Sequence, residues 1–426
     1  MEPRLIEKFL SFEKNNGLFD GGNYEYVLWH IVRFRIYSSL FQKIERTTEA
    51  HPKRGINQKV FGILKSVILI TRYPFFLRQK DVIIFSHPRR ILNDEGYYEC
   101  KYTEHLSGSN SYVFESPFQE KHFRPSQSQN LYYLDIILNI ARLVSFFAPL
   151  IGILSKNSEE LDHLEDLIIK EFGCSIPNFR RTIIQALAKH RTISVFAKII
   201  LRRIKPRKVI MTVSYSDVHL PFVEQCRKLG INVIEVQHGI MGPEHVAYNF
   251  LDYRKFNWFP NEVWVWNEFW AENTRLPLRK DCIKVRPLKF LEKYKKRFFR
   301  EEGPIRQIIV ISQGPFSKGL VDLGLELSKR IDRSRYCLSF KPHPSEMETV
   351  NFERLEENNI RILRGNNIYA DFAEADYLIG VNSTALFEGL EFGLKVFVDK
   401  KYGYHLFEGM KGVCFFENES DIFENL

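Results

Sequence analysis

The sequence has few cysteines, and no two of them lie close together. Its 426 residues contain six, without a CxxC pair or a metal-ligand spacing, at positions 100, 174, 226, 282, 337 and 414. This scatter excludes a disulfide framework and predicts reduced thiols in a cytoplasmic protein. Neither a DxD motif nor a histidine cluster is present, so no catalytic metal and no other cofactor are predicted.

Long apolar runs are absent as well. The N-terminus alternates acidic and basic residues and has no apolar core, so no signal peptide is predicted. The most apolar segment, 131–154, is interrupted by Asp135, Asn139, Arg142 and Pro149. A spanning helix needs about twenty nearly uninterrupted apolar residues, so a buried or in-plane helix is predicted here. These features predict a cytoplasmic protein, either soluble or associated with the inner face of the cytoplasmic membrane.

Acidic residues are fewer than basic ones. Lys and Arg number 61 against 52 Asp and Glu, which gives a formal net charge of +9. Such a balance favours an anionic partner: nucleic acid, membrane headgroups or a phosphorylated small molecule. No nucleic-acid-binding motif accompanies the charge, so nucleic acid is not predicted as a partner.

The basic residues concentrate in two clusters, LRRIKPRK at 201–208 and KYKKRFFR at 293–300. The second cluster interleaves Tyr294, Phe298 and Phe299 with five basic side chains. Its composition favours two interpretations about equally. One is a peripheral contact with an anionic membrane, and the other is a solvated helix face near a domain linker.

The apolar patterns predict two series of strands and helices after a helical N-terminal extension at 1–80. The first domain is predicted over 81–285, with a helical middle section over about 131–203. Its other predicted elements are a helix at 217–230 and strands at 81–86, 208–213, 232–236 and 262–266.

The second domain is predicted over 286–426, after a polar and basic linker at about 281–306. It contains a predicted helix at about 318–331 and strands at 307–312, 336–340, 360–363, 377–380, 395–399 and 412–416. Strands that alternate with helices imply parallel sheets with right-handed crossovers. The predicted fold class is therefore α/β, with two Rossmann-like domains that face a ligand-binding cleft.

A basic motif, FKPHPSE at 340–346, follows a predicted strand of the second domain, where open α/β sheets bind ligands. Lys341 and His343 can both donate to phosphate oxygens, the lysine as a point charge and the histidine as a directional donor. The neighbouring Pro344 stiffens the turn and removes a competing backbone donor.

A helix start follows a later strand of the same domain. Asn382, Ser383 and Thr384 are good N-cap residues, and free N–H groups at a helix N-terminus suit a phosphate. Glu388, about one turn further, can accept hydrogen bonds from ribose hydroxyls. Alone, the segment favours an ordinary capped helix with a surface glutamate. Together with the KPHP motif it predicts a site for a nucleotide monophosphate or diphosphate.

A third segment of the second domain, SQGPFSKG at 312–319, follows the first strand and opens a helix. Gln313 and Gly314 can bring the backbone close to a donor ligand. A plain loop between strand and helix is an equally good interpretation.

The first domain contributes Gln237, His238 and Gly239, directly after the strand at 232–236. If the second domain binds an activated donor, the first is expected to bind the acceptor and to supply a base. The imidazole of His238, with an ordinary pKa near 6.5, suits the removal of a hydroxyl proton. Gln237 can orient that ring or contact a sugar hydroxyl. A lone histidine would favour a structural role, but the other motifs favour a functional one.

Other polar residues of the first domain are weaker candidates. Glu244 and His245 are close enough in sequence to support His238 or to replace it as base. Asp94-Glu95-Gly96 resembles a pair of acids, but its position predicts a turn. The segment after the first strand contains His87, Arg89 and Arg90. These side chains can bind an acidic sugar or a lipid phosphate of the acceptor, because arginine is suited to bidentate contacts.

Together, the QHG, KPHP and Ser-Thr…Glu motifs resemble GT-B glycosyltransferases of bacterial surface polysaccharides. That group includes capsule polysialyltransferases, Kdo transferases of capsule and lipopolysaccharide assembly, and teichoic acid CDP-glycerol glycerophosphotransferases. The resemblance covers roughly 81–426. It implies that His343, Ser383 and Thr384 hold the nucleotide phosphates, that Glu388 contacts the ribose, and that His238 is the base.

Two departures limit the match. The phosphotransferases usually have a tryptophan where this chain has Gln237, and the acid-acid-Gly base motif of polysialyltransferases is matched only superficially by residues 94–96. The QHG form looks closest to capsule and O-antigen sugar transferases.

The resemblance implies a metal-independent glycosyltransferase. It would move a sugar from a CMP- or CDP-type nucleotide-sugar donor to a growing glycan or glycolipid acceptor. Three alternatives stay open: a CDP-polyol phosphotransferase of the teichoic acid type, a nucleotide-sugar epimerase of GT-B shape, and a non-catalytic nucleotide- or glycan-binding protein.

Overall fold

The computed structural model describes residues 4–19, 27–44, 73–88, 90–93, 95–118, 121–150, 158–251, 256, 258–297, 303–343, 346, 352–365 and 367–426. The chain divides into two compact units, Met1–Pro287 and Leu288–Leu426. All six cysteines are free.

A parallel sheet forms the centre of unit 1. Its strands are β1 Val82–Phe85, β4 Ser111–Glu115, β5 Leu131–Tyr133, β6 Lys208–Met211, β7 Asn232–Val236, β8 Glu262–Val265 and β9 Ile283–Val285, in the order β5-β4-β1-β6-β7-β8-β9. Two short strands, β2 Ile91–Leu92 and β3 Tyr98–Glu99, form a separate antiparallel pair.

Helices of unit 1 pack into two cores. They are α1 Leu5–Asn15, α2 Val27–Ile44, α3 Asp135–Phe147, α4 Ser158–Phe172, α5 Phe179–Ile204, α6 Leu220–Lys228 and α7 Glu268–Glu272. One core lies between the sheet and helices α3, α5 and α6. The other joins α1, α2, α4 and the first half of α5. The buried Ile193, Ala197, Ile200 and Ile204 of α5 recur every three to four residues, which is the spacing of one helix face.

A buried ion pair holds the helical core together. The Arg33 guanidinium donates to both carboxylate oxygens of Glu13, over 2.5 and 2.8 Å, and both side chains are 3% exposed. Arg33 also donates to the carbonyls of Val246 and Asn249, over 2.5 and 2.7 Å. The pair therefore ties α1 and α2 to the loop that follows the QHG motif.

Unit 2 has a second parallel sheet. Its strands are β10 Arg306–Ile311, β11 Tyr336–Lys341, β12 Arg361–Ile362, β13 Tyr377–Gly380, β14 Lys395–Asp399 and β15 Val413–Phe416, in the order β12-β11-β10-β13-β14-β15. Its helices are α8 Lys289–Arg297, α9 Ser317–Arg330, α10 Glu353–Glu357, α11 Ile368–Glu374, α12 Thr384–Phe392, α13 Lys400–Phe407 and α14 Glu419–Phe423.

In both sheets, the direction in which the chain adds strands reverses at the first strand. In unit 2 the chain adds strands outward from β10 to β12 and then returns to place β13 on the other side of β10. In unit 1 it builds outward from β1 to β5 and returns to place β6 beside β1. This is the Rossmann strand order, and such switch points are where open α/β sheets bind ligands. The predicted fold class of two Rossmann-like α/β domains is confirmed.

Two sequence predictions about secondary structure are wrong. Residues 131–133, expected to be helical, form strand β5, and the expected linker at 281–306 contains β9 and α8. In α8 the ring of Tyr294 is buried and packs 4.6 Å from Phe290 and 5.1 Å from Tyr369, measured between centroids. Tyr294 is therefore a core residue of unit 2 and unsuited to membrane contact, whereas Phe298 and Phe299 lie outside the described residues.

The described part of the most apolar segment, residues 131–150, contains no spanning helix. After β5, α3 ends at Phe147, and residues 151–157 lie outside the described part of the chain. None of the helices in the described ranges has both the length and the apolar content to cross a membrane.

Candidate functional site

His238 and His87 meet at the switch point of the unit 1 sheet. His238 lies two residues after β7, and His87 lies two residues after β1. Their rings stack with 5.6 Å between centroids and 27° between planes, and Tyr102 contacts both rings edge-on. Because β6 lies between β1 and β7, the histidine pair bridges the carboxyl ends of three adjacent strands.

The His238 ring is neutral at physiological pH. Burial lowers its pKa well below the ordinary value, and the neighbouring His87, His245 and His219 lower it further. Its Nδ1 atom is buried and has no hydrogen-bond partner within the described ranges. A neutral imidazole has one unprotonated nitrogen, which can accept the proton of an attacking hydroxyl group. The environment of His238 is therefore compatible with a general base.

Gln237 stabilises the turn that carries His238. Its side chain is fully buried, donates from Nε2 to the Gly239 carbonyl over 2.9 Å, and accepts at Oε1 from the Trp266 N–H over 2.8 Å. The Gln237 carbonyl accepts from the Trp266 indole over 3.2 Å. These bonds occupy the amide inside the protein, and the contact with a sugar hydroxyl stays a prediction. Gln237 is a positioning residue.

Glu244 lies on the surface of unit 1. Its carboxylate is exposed and pairs with Arg4 at 3.4 Å, and its catalytic role stays a prediction. His245 is half-buried, its Nε2 atom lies 3.2 Å from the Tyr215 hydroxyl, and burial lowers its pKa to about 4.

A buried glutamate beside the QHG turn was missed by sequence reasoning. Glu235 of β7 is fully buried, and its carboxyl group accepts hydrogen bonds from the Ser214 hydroxyl over 2.5 Å, the Ser214 N–H over 3.2 Å and the Tyr248 hydroxyl over 2.8 Å. Burial raises its pKa to about 7, although these three donors act in the opposite direction. The available signal was a single acid inside the apolar strand NVIEV.

We expect Glu235→Gln to change how stability depends on pH. A carboxyl group whose pKa is raised on folding keeps its proton while the unfolded chain releases it, so wild-type stability falls between about pH 4.5 and 7. Glu235→Gln removes this loss. The difference in free energy of unfolding between the variant and the wild type should therefore grow across that window by on the order of 3 kcal/mol. Urea denaturation at several pH values measures the effect. The exposed Glu268→Gln is the control, and parallel pH profiles for Glu235→Gln and the wild type would contradict the expectation.

Arg90 is a structural residue. Its side chain is 0% exposed, its Nε atom lies 2.6 Å from the Glu115 carboxylate, and it donates to the hydroxyls of Ser86 and Ser126 over 2.9 and 3.0 Å. The Arg90 guanidinium is bonded inside unit 1, and its acceptor-binding role stays a prediction. Arg89 lies outside the described residues.

The predicted turn at 94–96 is confirmed. The Asn93 side chain accepts hydrogen bonds from the N–H groups of Glu95 and Tyr97, and Gly96 has a positive φ of 79°. Asp94 lies outside the described residues. The segment closes the β2–β3 pair.

In unit 2, Lys341 is held by internal partners. It is 8% exposed, and its Nζ atom lies 2.6 Å from the Asp371 carboxylate and donates to the Gly365 carbonyl over 2.5 Å. Asp371 offsets the charge of Lys341, and the contact of Lys341 with phosphate stays a prediction.

His343 is exposed just after β11. Its N–H donates to Glu346 over 2.9 Å, and Glu346, which is 4% exposed, also accepts from the Ser312 hydroxyl over 3.0 Å. Glu346 thus ties the loop of His343 to the end of β10. Glu346 was not among the predicted site residues, and Pro344 lies outside the described residues.

Polar groups converge at the switch point of the unit 2 sheet. The Asn382 N–H donates to the Gln313 side chain over 3.4 Å, which joins the carboxyl ends of β13 and β10. Ser383 caps α12 by accepting from the Ala385 N–H over 3.2 Å, as predicted, and Thr384 is the first residue of the helix. The Asn382 Oδ1 atom is buried without a hydrogen-bond partner in the described part of the chain.

Two other residues near this switch point differ in exposure. Gly314 is exposed, and open space surrounds its Cα. Glu388 is 3% exposed, and its carboxylate accepts from the Tyr369 hydroxyl over 2.7 Å. The Glu388 carboxylate lies in the core of unit 2, and its contact with ribose stays a prediction.

The chain has distant likenesses among solved structures. The UDP-GlcNAc 2-epimerase of Methanocaldococcus jannaschii is 11% identical with a TM-score of 0.47, over 81% of this chain and 91% of that one. The UDP-GlcNAc 2-epimerase of Neisseria meningitidis bound to UDP-GlcNAc is 10% identical with a TM-score of 0.47, over 82% and 90%. The wall teichoic acid polymerase TagF is 10% identical with a TM-score of 0.39, over 84% and 82%.

Sequence comparison identifies no relative. No family model matches the sequence, and no curated protein matches it either. At the identities and TM-scores above, the structural likenesses identify neither a family nor a substrate.

Proposed function

We propose that the protein is a metal-independent glycosyltransferase. It would move a sugar from a nucleotide-activated donor, with CMP or CDP favoured, to a growing capsule or O-antigen glycan carried on a lipid. The observation that supports it most is that both sheets have polar residues from predicted motifs at their switch points: His238 with His87 in unit 1, and Gln313 with Asn382 in unit 2. We place its activity at the cytoplasmic face of the membrane.

In this proposal unit 2 binds the nucleotide. The first N–H groups of α12 and its positive dipole end suit the donor phosphates, and the buried Oδ1 atom of Asn382 can accept a hydrogen bond from the ligand. The exposed His343 adds a donor from the neighbouring loop. Because Lys341 and Glu388 are bonded internally, neutral and backbone donors carry most of the phosphate recognition.

Unit 1 supplies the base. As the acceptor hydroxyl attacks the anomeric carbon, its proton passes to the unprotonated ring nitrogen of His238, and the bond from the sugar to the nucleotide phosphate breaks. The imidazolium that forms is then close to His87, whose ring stacks on it. Gln237 keeps the turn in place during this step, because its amide is bonded on both sides.

Nucleotide binding tests the donor half of the proposal. A ligand that binds only the folded state stabilises it by about 2.7 kcal/mol at a hundredfold excess over Kd. We expect CMP or CDP to raise Tm by several degrees, more than UDP or GDP does. His343→Ala should shrink this shift, and His405→Ala, at an exposed histidine of α13, should not.

The outcomes separate the alternatives. No stabilisation by any of the four nucleotides would contradict a nucleotide-dependent enzyme. An equal shift in His343→Ala and the wild type would remove His343 from the site but leave the proposed reaction standing.

A further inference from the structure

Helix α3 has two apolar faces, and the described residues of the chain bury only one of them. Ile137, Leu138 and Ala141 are buried in the core that α3 shares with α5. Six large apolar side chains of α3 and the turn that follows are exposed instead, with fractions from 37 to 77%: Ile140, Leu143, Val144, Phe146, Phe147 and Leu150. Single exposed apolar residues are ordinary, but a contiguous group of this kind marks an interaction surface.

The neighbouring α5 extends this surface and adds positive charge. Val195 and Ile199 are 59 and 50% exposed, and they alternate with exposed basic residues of the same helix: Arg191, Lys198, Arg202 and Arg203. Both α3 and α5 cover the same face of the unit 1 sheet, so their outer faces point away from it on one side of the molecule.

The part of the chain that contains α5 carries positive charge only. Between residues 172 and 216 the chain has ten Lys and Arg and no Asp or Glu. At the end of α5, Phe76 is 83% exposed, and the Arg203 guanidinium lies 5.9 Å from the centre of its ring. Apolar side chains with a basic border are the composition of proteins that lie on anionic lipid surfaces.

We propose that unit 1 binds the surface of an anionic lipid bilayer through the outer faces of α3 and α5. The six apolar side chains of α3 enter the boundary between headgroups and acyl chains, and the basic side chains of α5 contact lipid phosphates. The proposal goes beyond the proposed function, because its residues belong to neither candidate site and would bind lipid even in a non-catalytic protein.

Two other occupants fit the surface less well. Nucleic acid uses basic and aromatic groups, but the exposed Ile140, Leu143 and Val144 have no role on a phosphate backbone. A second copy of the chain would bring Arg191, Lys198 and Arg202 close to their equivalents, and like charges at an interface oppose association.

Vesicle flotation with the full chain tests the proposal. We expect binding to vesicles of phosphatidylglycerol and phosphatidylcholine, at least tenfold weaker binding to pure phosphatidylcholine, and weaker binding in high salt. The double variants Leu143→Glu/Phe147→Glu and Lys198→Glu/Arg202→Glu should each lose at least tenfold in vesicle affinity.

Matched controls separate the surface from general effects of charge. Leu92→Glu places a charge at an exposed apolar residue elsewhere in unit 1, and Lys280→Glu/Lys411→Glu makes the same change in net charge as the α5 variant. Both controls should bind vesicles like the wild type, and circular dichroism with Tm checks that every variant folds.

Three results would overturn the proposal. The first is no binding of the wild type to anionic vesicles, and the second is unchanged vesicle binding by Leu143→Glu/Phe147→Glu. The third is a dimer in sedimentation velocity, or a complex with duplex RNA or DNA, that depends on α3 in place of vesicle binding. Nucleotide-induced stabilisation of unit 2 is measured without vesicles, so failure here is distinguishable from failure of the proposed function.

Discussion

Replacing His238 with alanine is expected to abolish sugar transfer and leave nucleotide binding unchanged. General base catalysis contributes about 10²- to 10⁴-fold, so kcat should fall by at least that factor. His238 belongs to unit 1, whereas the residues proposed to bind the nucleotide belong to unit 2. The Tm shift with CMP or CDP should therefore match that of the wild type. Initial rates with a labelled donor, together with the thermal shift, measure both effects.

A second histidine of unit 1 provides the control. His163 lies exposed on α4, and His163→Ala should keep wild-type kcat and stability. His87→Ala should lower kcat less than His238→Ala, because it removes a stacked neighbour and leaves the base in place. Retained turnover by His238→Ala would refute the mechanism, and lost nucleotide binding in that variant would refute the division of roles between the units.

Removing Glu13 is expected to cause the largest loss of stability. Glu13→Ala leaves the Arg33 guanidinium without its carboxylate in a core where the side chain is 3% exposed. Truncating one partner of a buried pair costs about 3–5 kcal/mol, since the remaining charge stays buried. Urea denaturation followed by circular dichroism should show a midpoint lowered in proportion.

The same helix supplies a matched comparison. Glu7 of α1 pairs with Arg275 at 3.2 Å on the surface, and exposed pairs contribute about 0–1 kcal/mol. Glu7→Ala should therefore change the free energy of unfolding by less than about 1 kcal/mol. Adding Arg33→Met to Glu13→Ala should recover part of the loss by removing the unpaired charge. Equal effects of Glu7→Ala and Glu13→Ala would refute the role given to the buried pair.

Local sequence patterns predicted the positions of the main strands in both sheets. The strands that lead to Gln237, Lys341 and Asn382 lie where their apolar runs place them, and Ser383 caps its helix as expected. These features depend on neighbouring residues in the chain, which a single sequence displays. Strands of three residues, such as β5 and β9, carry too few positions to show a pattern.

The roles of charged residues were harder to predict, because their partners lie far away in the sequence. Arg90 and Lys341 have the chemistry of phosphate ligands, yet Arg90 pairs with Glu115 and Lys341 with Asp371. Each partner is about 25 to 30 residues distant, and nothing in the local pattern connects the two. Residues whose neutral groups lie at a switch point, such as Gln313 and Asn382, kept their candidate roles.

The length of α5 has a consequence for dividing the protein into fragments. Its 26 residues carry Ile183 and Leu187 into the helical core and Ile193 and Ile200 into the core against the sheet. A fragment that begins at residue 81 would leave the first half of this helix without α1 and α2, and its apolar side chains would face water. A fragment meant to yield a monodisperse unit 1 should therefore include α1 and α2 and end near Pro287.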